Sequence, residues 1–189
     1  MSATSHTIQQ VETQQVERPA AGAYEIDPPH SSVEAVARHL MITRVRGRLS
    51  LLSGAISVGD ALSESSVEVD IDAASIDTKD AKRDEHMRSA DFLDVGNHPK
   101  ISYRSTGIGR QNGDRWRVDG ELTLRGITKP VALDLEYHGM GTDPWGQQRA
   151  FFSATAQLRR KDFGITWNAA LESGGVLVSD KLDIEIEVS

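Results

Sequence analysis

The sequence predicts an all-β fold, an antiparallel barrel or sandwich carrying one helical insertion. Apolar and polar residues alternate with a period of two in separate runs. Val67, Val69 and Ile71 face Glu68, Asp70 and Asp72 across a strand; Val131, Leu133, Leu135 and Tyr137 alternate with Ala132, Asp134, Glu136 and His138; Leu182, Ile184, Ile186 and Val188 alternate with Asp183, Glu185 and Glu187. Such alternation gives each strand one dry side and one wet side. Turn chemistry recurs between the runs at Gly59-Asp60, Asn112-Gly113, Arg125-Gly126, Pro144-Trp145-Gly146 and Ser173-Gly174-Gly175. Asn-Gly is the strongest hairpin signal among them, because both residues tolerate positive φ. Only one stretch breaks the period.

Taken in chain order, residues 1–22 are polar and poor in large apolar side chains, too few to offset the entropy of ordering, and are expected to form a disordered arm dispensable for folding. The folded domain is expected over residues 23–189, with period-two character from Tyr24 onward. Strands are predicted over 32–37, 43–58, 67–71, 100–108, 115–124, 131–137, 149–159 and 182–188. In the fifth of these Trp116, Val118, Leu122 and Leu124 share one face, with Gly120 between them. The exception is a helix over 79–88, capped by Asp77 or Thr78, with Asp84 and Arg88 at i,i+4 spacing. Ser89 is placed to start a second short turn through Phe92 and Leu93. The helix has a thin apolar stripe, so it is expected to lie across an opening of the sheet and send Met87, Phe92 and Leu93 inward.

Composition narrows the function classes. The 189-residue chain suits one domain plus a tail, and its formal net charge of −7 argues against a nucleic-acid partner and against nonspecific attraction to anionic membranes. With no cysteine there is no disulfide, thiolate nucleophile or Cys-based metal site. The N-terminus lacks the basic start and the roughly 7–15-residue apolar run of a secretory signal. No segment approaches the ~20 apolar residues of a membrane helix. A cytoplasmic location is therefore expected.

Chemistry-bearing motifs are sparse. The histidines, His6, His30, His39, His86, His98 and His138, show no i,i+4 zinc spacing, and no metal site is predicted. There is no G-x-S-x-G elbow, and the Gly-x-Gly pairs at 107–109 and 139–141 open no phosphate-binding helix. No catalytic residue is assigned. Small residues at Ala35, Gly47, Gly120, Ser153 and Ala154 sit among the large inward candidates. That mixture admits both a hollow barrel and a filled one.

The ordered motifs Tyr24-Glu25-Ile26-Asp27-Pro28-Pro29-His30-Ser31-Ser32-Val33, Arg38-His39-Leu40, Val45-Arg46-Gly47-Arg48, Lys82-Arg83-Asp84-Glu85-His86, Asp91-Phe92-Leu93-Asp94-Val95, residues 120–131 and Phe163-Gly164-Ile165-Thr166-Trp167-Asn168 resemble the YceI family from about Tyr24 to the end. The resemblance implies a lipocalin-like antiparallel barrel of about eight strands with the helical insertion near one end. It also implies noncatalytic binding, storage or transport of a long apolar isoprenoid, a polyprenyl chain or prenylated quinone, in a barrel tunnel. No cofactor is required beyond that bound isoprenoid, and a homodimer is implied by the resemblance alone. The resemblance also implies an export signal in many members, and this chain is expected to depart from them in that respect. Candidate ligand contacts are Trp116, Phe151, Phe163, Trp167, Phe92 and Met87 along the tail, with Arg83 and His86 offering donors to a head group at one entrance. Two other readings keep the same fold: a lipid- or quinone-modifying enzyme using His86 and Asp84 as acid/base pair, and a solid-core β module acting through its acidic surface.

Overall fold

The computed structural model describes residues 18–112, 115–170 and 176–189. Among the described residues nine strands are formed: β1 (Gly22–Glu25), β2 (Ser32–His39), β3 (Thr43–Val58), β4 (Ser66–Asp77), β5 (Lys100–Asn112), β6 (Arg115–Leu124), β7 (Ile127–Thr142), β8 (Gln148–Arg159) and β9 (Lys181–Val188), with one α-helix, α1 (Ala81–Arg88), after β4. Every pairing is antiparallel. The order is β1-β3-β2-β9-β8-β7-β6-β5-β4, and β3 also pairs with β4, so β2 through β9 close into a ring. The long β3 makes closure possible. One of its edges carries β2 against Thr43–Leu49 and then β1 against Ala55–Val58, while the other carries β4. A closed ring leaves no long unpaired edge. Register shifts at Arg48/Ser50 and Leu51/Ser53 in β3 bend it around the barrel.

The expected strands are present, two of them, β3 and β6, with the bounds read from sequence. Others run further, β4 to Asp77 and β7 to Thr142, because ladder hydrogen bonds continue past the residues whose alternation is clear. Part of the expected arm belongs to the barrel. Gly22 opens β1, Pro19 is buried, Arg18 Nη2 donates to Asp60 O at 2.6 Å, and Tyr24 Oη donates to Ala20 O at 2.8 Å. Residues 1–17, Gly113 of the Asn112-Gly113 turn and the Ser173-Gly174-Gly175 turn lie outside the described residues.

The helix differs from expectation in its anchoring. Asp80 is the N-cap, its side chain accepting from Arg83 N–H at 3.0 Å. Asp77 instead accepts the Lys79 N–H at 2.8 Å, where Lys79 adopts a left-handed φ of 64°. Asp84 does not pair with Arg88. It is buried and accepts from both Thr78 N–H (2.8 Å) and Thr78 Oγ1 (2.6 Å), while Arg88 donates to Ala74 O (2.6 Å) and Ile76 O (2.8 Å). Two backbone-directed side chains thus fix α1 against the end of β4. Under it Phe92 and Leu93 are buried with Phe163, Ile165 and Leu124 in the main core.

Candidate functional site

The inward residues of the ring do not meet in the middle. On β6 they are Trp116, Val118, Leu122 and Leu124; on β7 Val131, Leu133, Leu135 and Tyr137; on β9 Leu182, Ile184, Ile186 and Val188, and all line one cavity of about 600 Å³. Its volume falls in the range of ligand pockets. The space exists because β2, β3 and β8 present small inward residues, Ala35, Ala37, Gly47, Ala154 and Ala156, opposite the large ones. Two of the other small residues act otherwise. Gly120 leaves room for the Tyr103 ring, whose hydroxyl lies 3.0 Å from Val118 O and 3.2 Å from Val131 O, and burial pushes the Tyr103 pKa up to about 12. Ser153, half-buried, also borders the cavity, and its hydroxyl hydrogen-bonds the exposed His138 at 2.7 Å. The walls run from Arg38, His39 and α1 at one end to Val58, Leu62 and Trp116 at the other, where Arg18 and Pro19 also reach the cavity.

Among the described residues no carboxylate lines this space, although the whole chain is acidic. Most of its cationic and imidazole groups gather at the helix mouth, Arg38, His39, Lys82, Arg83, His86 and Arg160, while Arg18 reaches it from the other end. Arg83 is held in place by Thr78, donating from Nε to Oγ1 (2.7 Å) and from Nη2 to the carbonyl (2.8 Å). The His86 ring stands edge-on to Phe92 and Trp167, with centroids at 5.0 and 4.7 Å, and Phe92 and Trp167 lie 5.2 Å apart. These three rings, with Met87, form the apolar shoulder of the mouth. Arg160 sits behind them, only 2% exposed, and donates to Ser179 O (3.0 Å), Ile165 O (3.1 Å) and Trp167 O (2.7 Å). It pins the segment carrying Trp167; desolvation lowers its pKa.

Five of the eight sequence-derived contacts therefore converge at this mouth: Phe92, Met87, Trp167, Arg83 and His86. Trp116 lines the opposite end, with Arg110 over its ring at 5.9 Å. Two are corrected. Phe163 is fully buried in the core, in the turn after β8, and does not reach the cavity wall. Phe151 is 40% exposed on the outer face, and its neighbour Phe152 lines the cavity instead. The β8 register explains the exchange. Phe152, Ala154, Ala156 and Leu158 stand opposite Val188, Ile186, Ile184 and Leu182 of β9, so even positions face inward. Counting back by twos from Leu158 finds Phe152, and counting forward finds Arg160, which the sequence reading also missed.

The acid/base pair expected of His86 and Asp84 is not formed. Asp84 is committed to Thr78, and the His86 partner is Asp91, Nε2 to Oδ2 at 2.9 Å, on the exposed side. Among the described residues no three His, Asp or Glu side chains group to hold a metal ion, and no helix is long and apolar enough to cross a membrane.

Comparison with known proteins places this geometry in context. The profile of the YceI-like domain matches residues 24–189. A UPF0312 protein of Vibrio cholerae is 40% identical over 148 residues, 77% of this chain and 78% of the relative. Among solved structures, BcnA of Burkholderia cenocepacia superposes with a TM-score of 0.71 at 21% identity, covering 86% of this chain and 98% of that one. A polyisoprenoid binding domain from Saccharophagus degradans, implicated in plant cell wall breakdown, superposes with a TM-score of 0.60 at 13% identity, over 87% of this chain and 95% of that one. At such identities the two structures share the fold.

Proposed function

The chain belongs to the family of YceI-like domains, and we propose from that membership that its barrel binds a long apolar isoprenoid without catalysing its conversion, as a store or carrier of a polyprenyl chain or prenylated quinone. The observation that carries the reading is the cavity of about 600 Å³, apolar along its length, with its donors clustered at the helix mouth and Arg18 at the other end. The tail lies along the barrel. Each isoprene unit withdraws about five carbons from water, worth roughly 3–4 kcal/mol at ~0.8 kcal/mol per CH₂ before the costs of binding. Tail affinity then needs no polar contact. The head group sits between Arg83 and His86, whose ring and guanidinium offer hydrogen bonds to a carbonyl or hydroxyl oxygen. The polyisoprenoid binding domain of the same fold supports the choice of ligand class.

Extraction of the purified protein with organic solvent, followed by mass spectrometry, tests the reading. An isoprenoid released in near-stoichiometric amount is the expected result, recovered unaltered after incubation with the protein. A protein that yields no lipid, and takes up none when offered a prenylated quinone, overturns it. Chemical conversion of the bound quinone during incubation would make the barrel an enzyme.

A further inference from the structure

The β2–β3 hairpin turns at the helix mouth through Leu40 and Met41, whose backbones are both left-handed, with φ of 53° and 60°. Ile42 N–H donates to His39 O at 3.1 Å, closing a turn of the primed kind over His39 to Ile42. Asn-Gly satisfies such a turn, whereas leucine and methionine adopt it against the clash of Cβ with the following carbonyl. Burial does not offset that cost. Leu40, Met41 and Ile42 are 42%, 55% and 80% exposed. The turn therefore spends backbone energy to hold three apolar side chains in water, where turn residues are ordinarily polar.

Its position says what the tip is for. Leu40 N–H donates to Leu177 O at 2.9 Å, and Leu177 lines the cavity, so the tip stands at the rim of the mouth. Arg38, Lys82 and Arg83, all exposed, line the same rim. Apolar side chains projecting beside cations are the arrangement by which a protein inserts shallowly into a bilayer while its charges meet lipid phosphates. The net charge of −7 opposes general adhesion, but surface attraction is screened within about a Debye length, roughly 8 Å, so the groups at the contact decide.

We infer that Leu40, Met41 and Ile42, flanked by Arg38, Lys82 and Arg83, seat this mouth on an anionic bilayer, so that the ligand passes between tunnel and hydrocarbon without crossing water. The inference rests on the isoprenoid reading above, since only a water-insoluble tail needs such a route.

The test is flotation of the full chain with phosphatidylcholine vesicles, with and without phosphatidylglycerol, beside the variant Leu40→Asn, Met41→Gly, Ile42→Thr. That variant gives the turn the residues it favours, so the barrel stays folded. The wild type is expected to float with the anionic vesicles and less with the neutral ones. The variant should float about tenfold less and slow vesicle-to-vesicle transfer of a prenylated quinone in proportion. Failure of the wild type to float, equal flotation of the variant, or indifference to phosphatidylglycerol overturns the inference. So does a variant that merely abolishes self-association in the absence of vesicles, which would assign the tip to a second copy of the chain. Isoprenoid in the solvent extract without flotation sinks the docking surface alone. Tip-dependent flotation with no isoprenoid extracted or transferred keeps the bilayer contact and sinks the ligand.

Discussion

At the scale of single residues, β8 shows how little separates a wall of the tunnel from its outer surface. Phe151 and Phe152 are neighbours, yet one is 40% exposed and the other lines the cavity. Phe151→Ala is therefore expected to change stability by less than ~0.5 kcal/mol and leave lipid content unaltered. Trp167→Ala removes a half-buried ring packed on His86 and Phe92, and should cost towards the lower end of the ~3–5 kcal/mol seen for buried aromatics while also reducing lipid retention. Chemical denaturation and lipid quantification on both variants check this; an unaffected Trp167→Ala protein would remove that ring from wall and core alike. At the same mouth, replacing Arg83 and His86 with alanine should weaken binding of a prenylated quinone more than of its bare hydrocarbon tail. Equal losses for the two ligands, measured by titration, would place the head group elsewhere.

Among the elements, α1 and the N-terminal segment close the two ends differently. The helix is fixed to β4 by Asp84 through Thr78 and by Arg88 through Ala74 and Ile76, although its own apolar stripe is thin. Its existence was legible as a break in the period of two; its cap was not, because Asp77, Thr78 and Asp80 all have capping side chains and only the path of the chain out of β4 selects Asp80. At the opposite end Arg18 and Pro19 reach the cavity beside Trp116. A chain begun at Ala23 loses that cover but little of the ladder, since β1 contributes four paired residues of which only Gly22 is removed. It is expected to fold with nearly unchanged stability and to release bound lipid faster. Thermal unfolding and the off-rate of a fluorescent prenyl analogue check both halves, and an unchanged off-rate would show that this mouth is not a route.

For the whole molecule, the surface ion pairs set the dependence on pH. Asp27 is held below the usual carboxylate range by His30 and Arg149, and Asp143 by the Gln147 N–H and Arg149; Glu185 is held down by Arg46 and Arg44. Burial raises Asp70, but Lys100 and Arg104 outweigh it and its net shift is also downward. Depressed carboxylates stabilise the fold fully above their unfolded values of about 4 and lose that contribution as pH falls through the folded ones. The melting temperature should accordingly hold near neutrality and decline below about pH 4, with a shallower decline in Asp27→Asn, Glu185→Gln. A flat profile down to pH 3 would contradict this. The sequence by itself determined the eight strands β2 to β9, the helical interruption and the family, because alternation, turn residues and motif order are local properties that survive without knowledge of neighbours, whereas the short β1 fell partly in the expected arm. Only the tertiary structure decided that β3 meets both β2 and β4, that Phe152 and Arg160 face inward where Phe151 does not, and that the centre is hollow. Those outcomes depend on pairings such as Ser32 with Glu187 and on the summed volumes of side chains from every strand of the ring, and neither can be read within the reach of one strand.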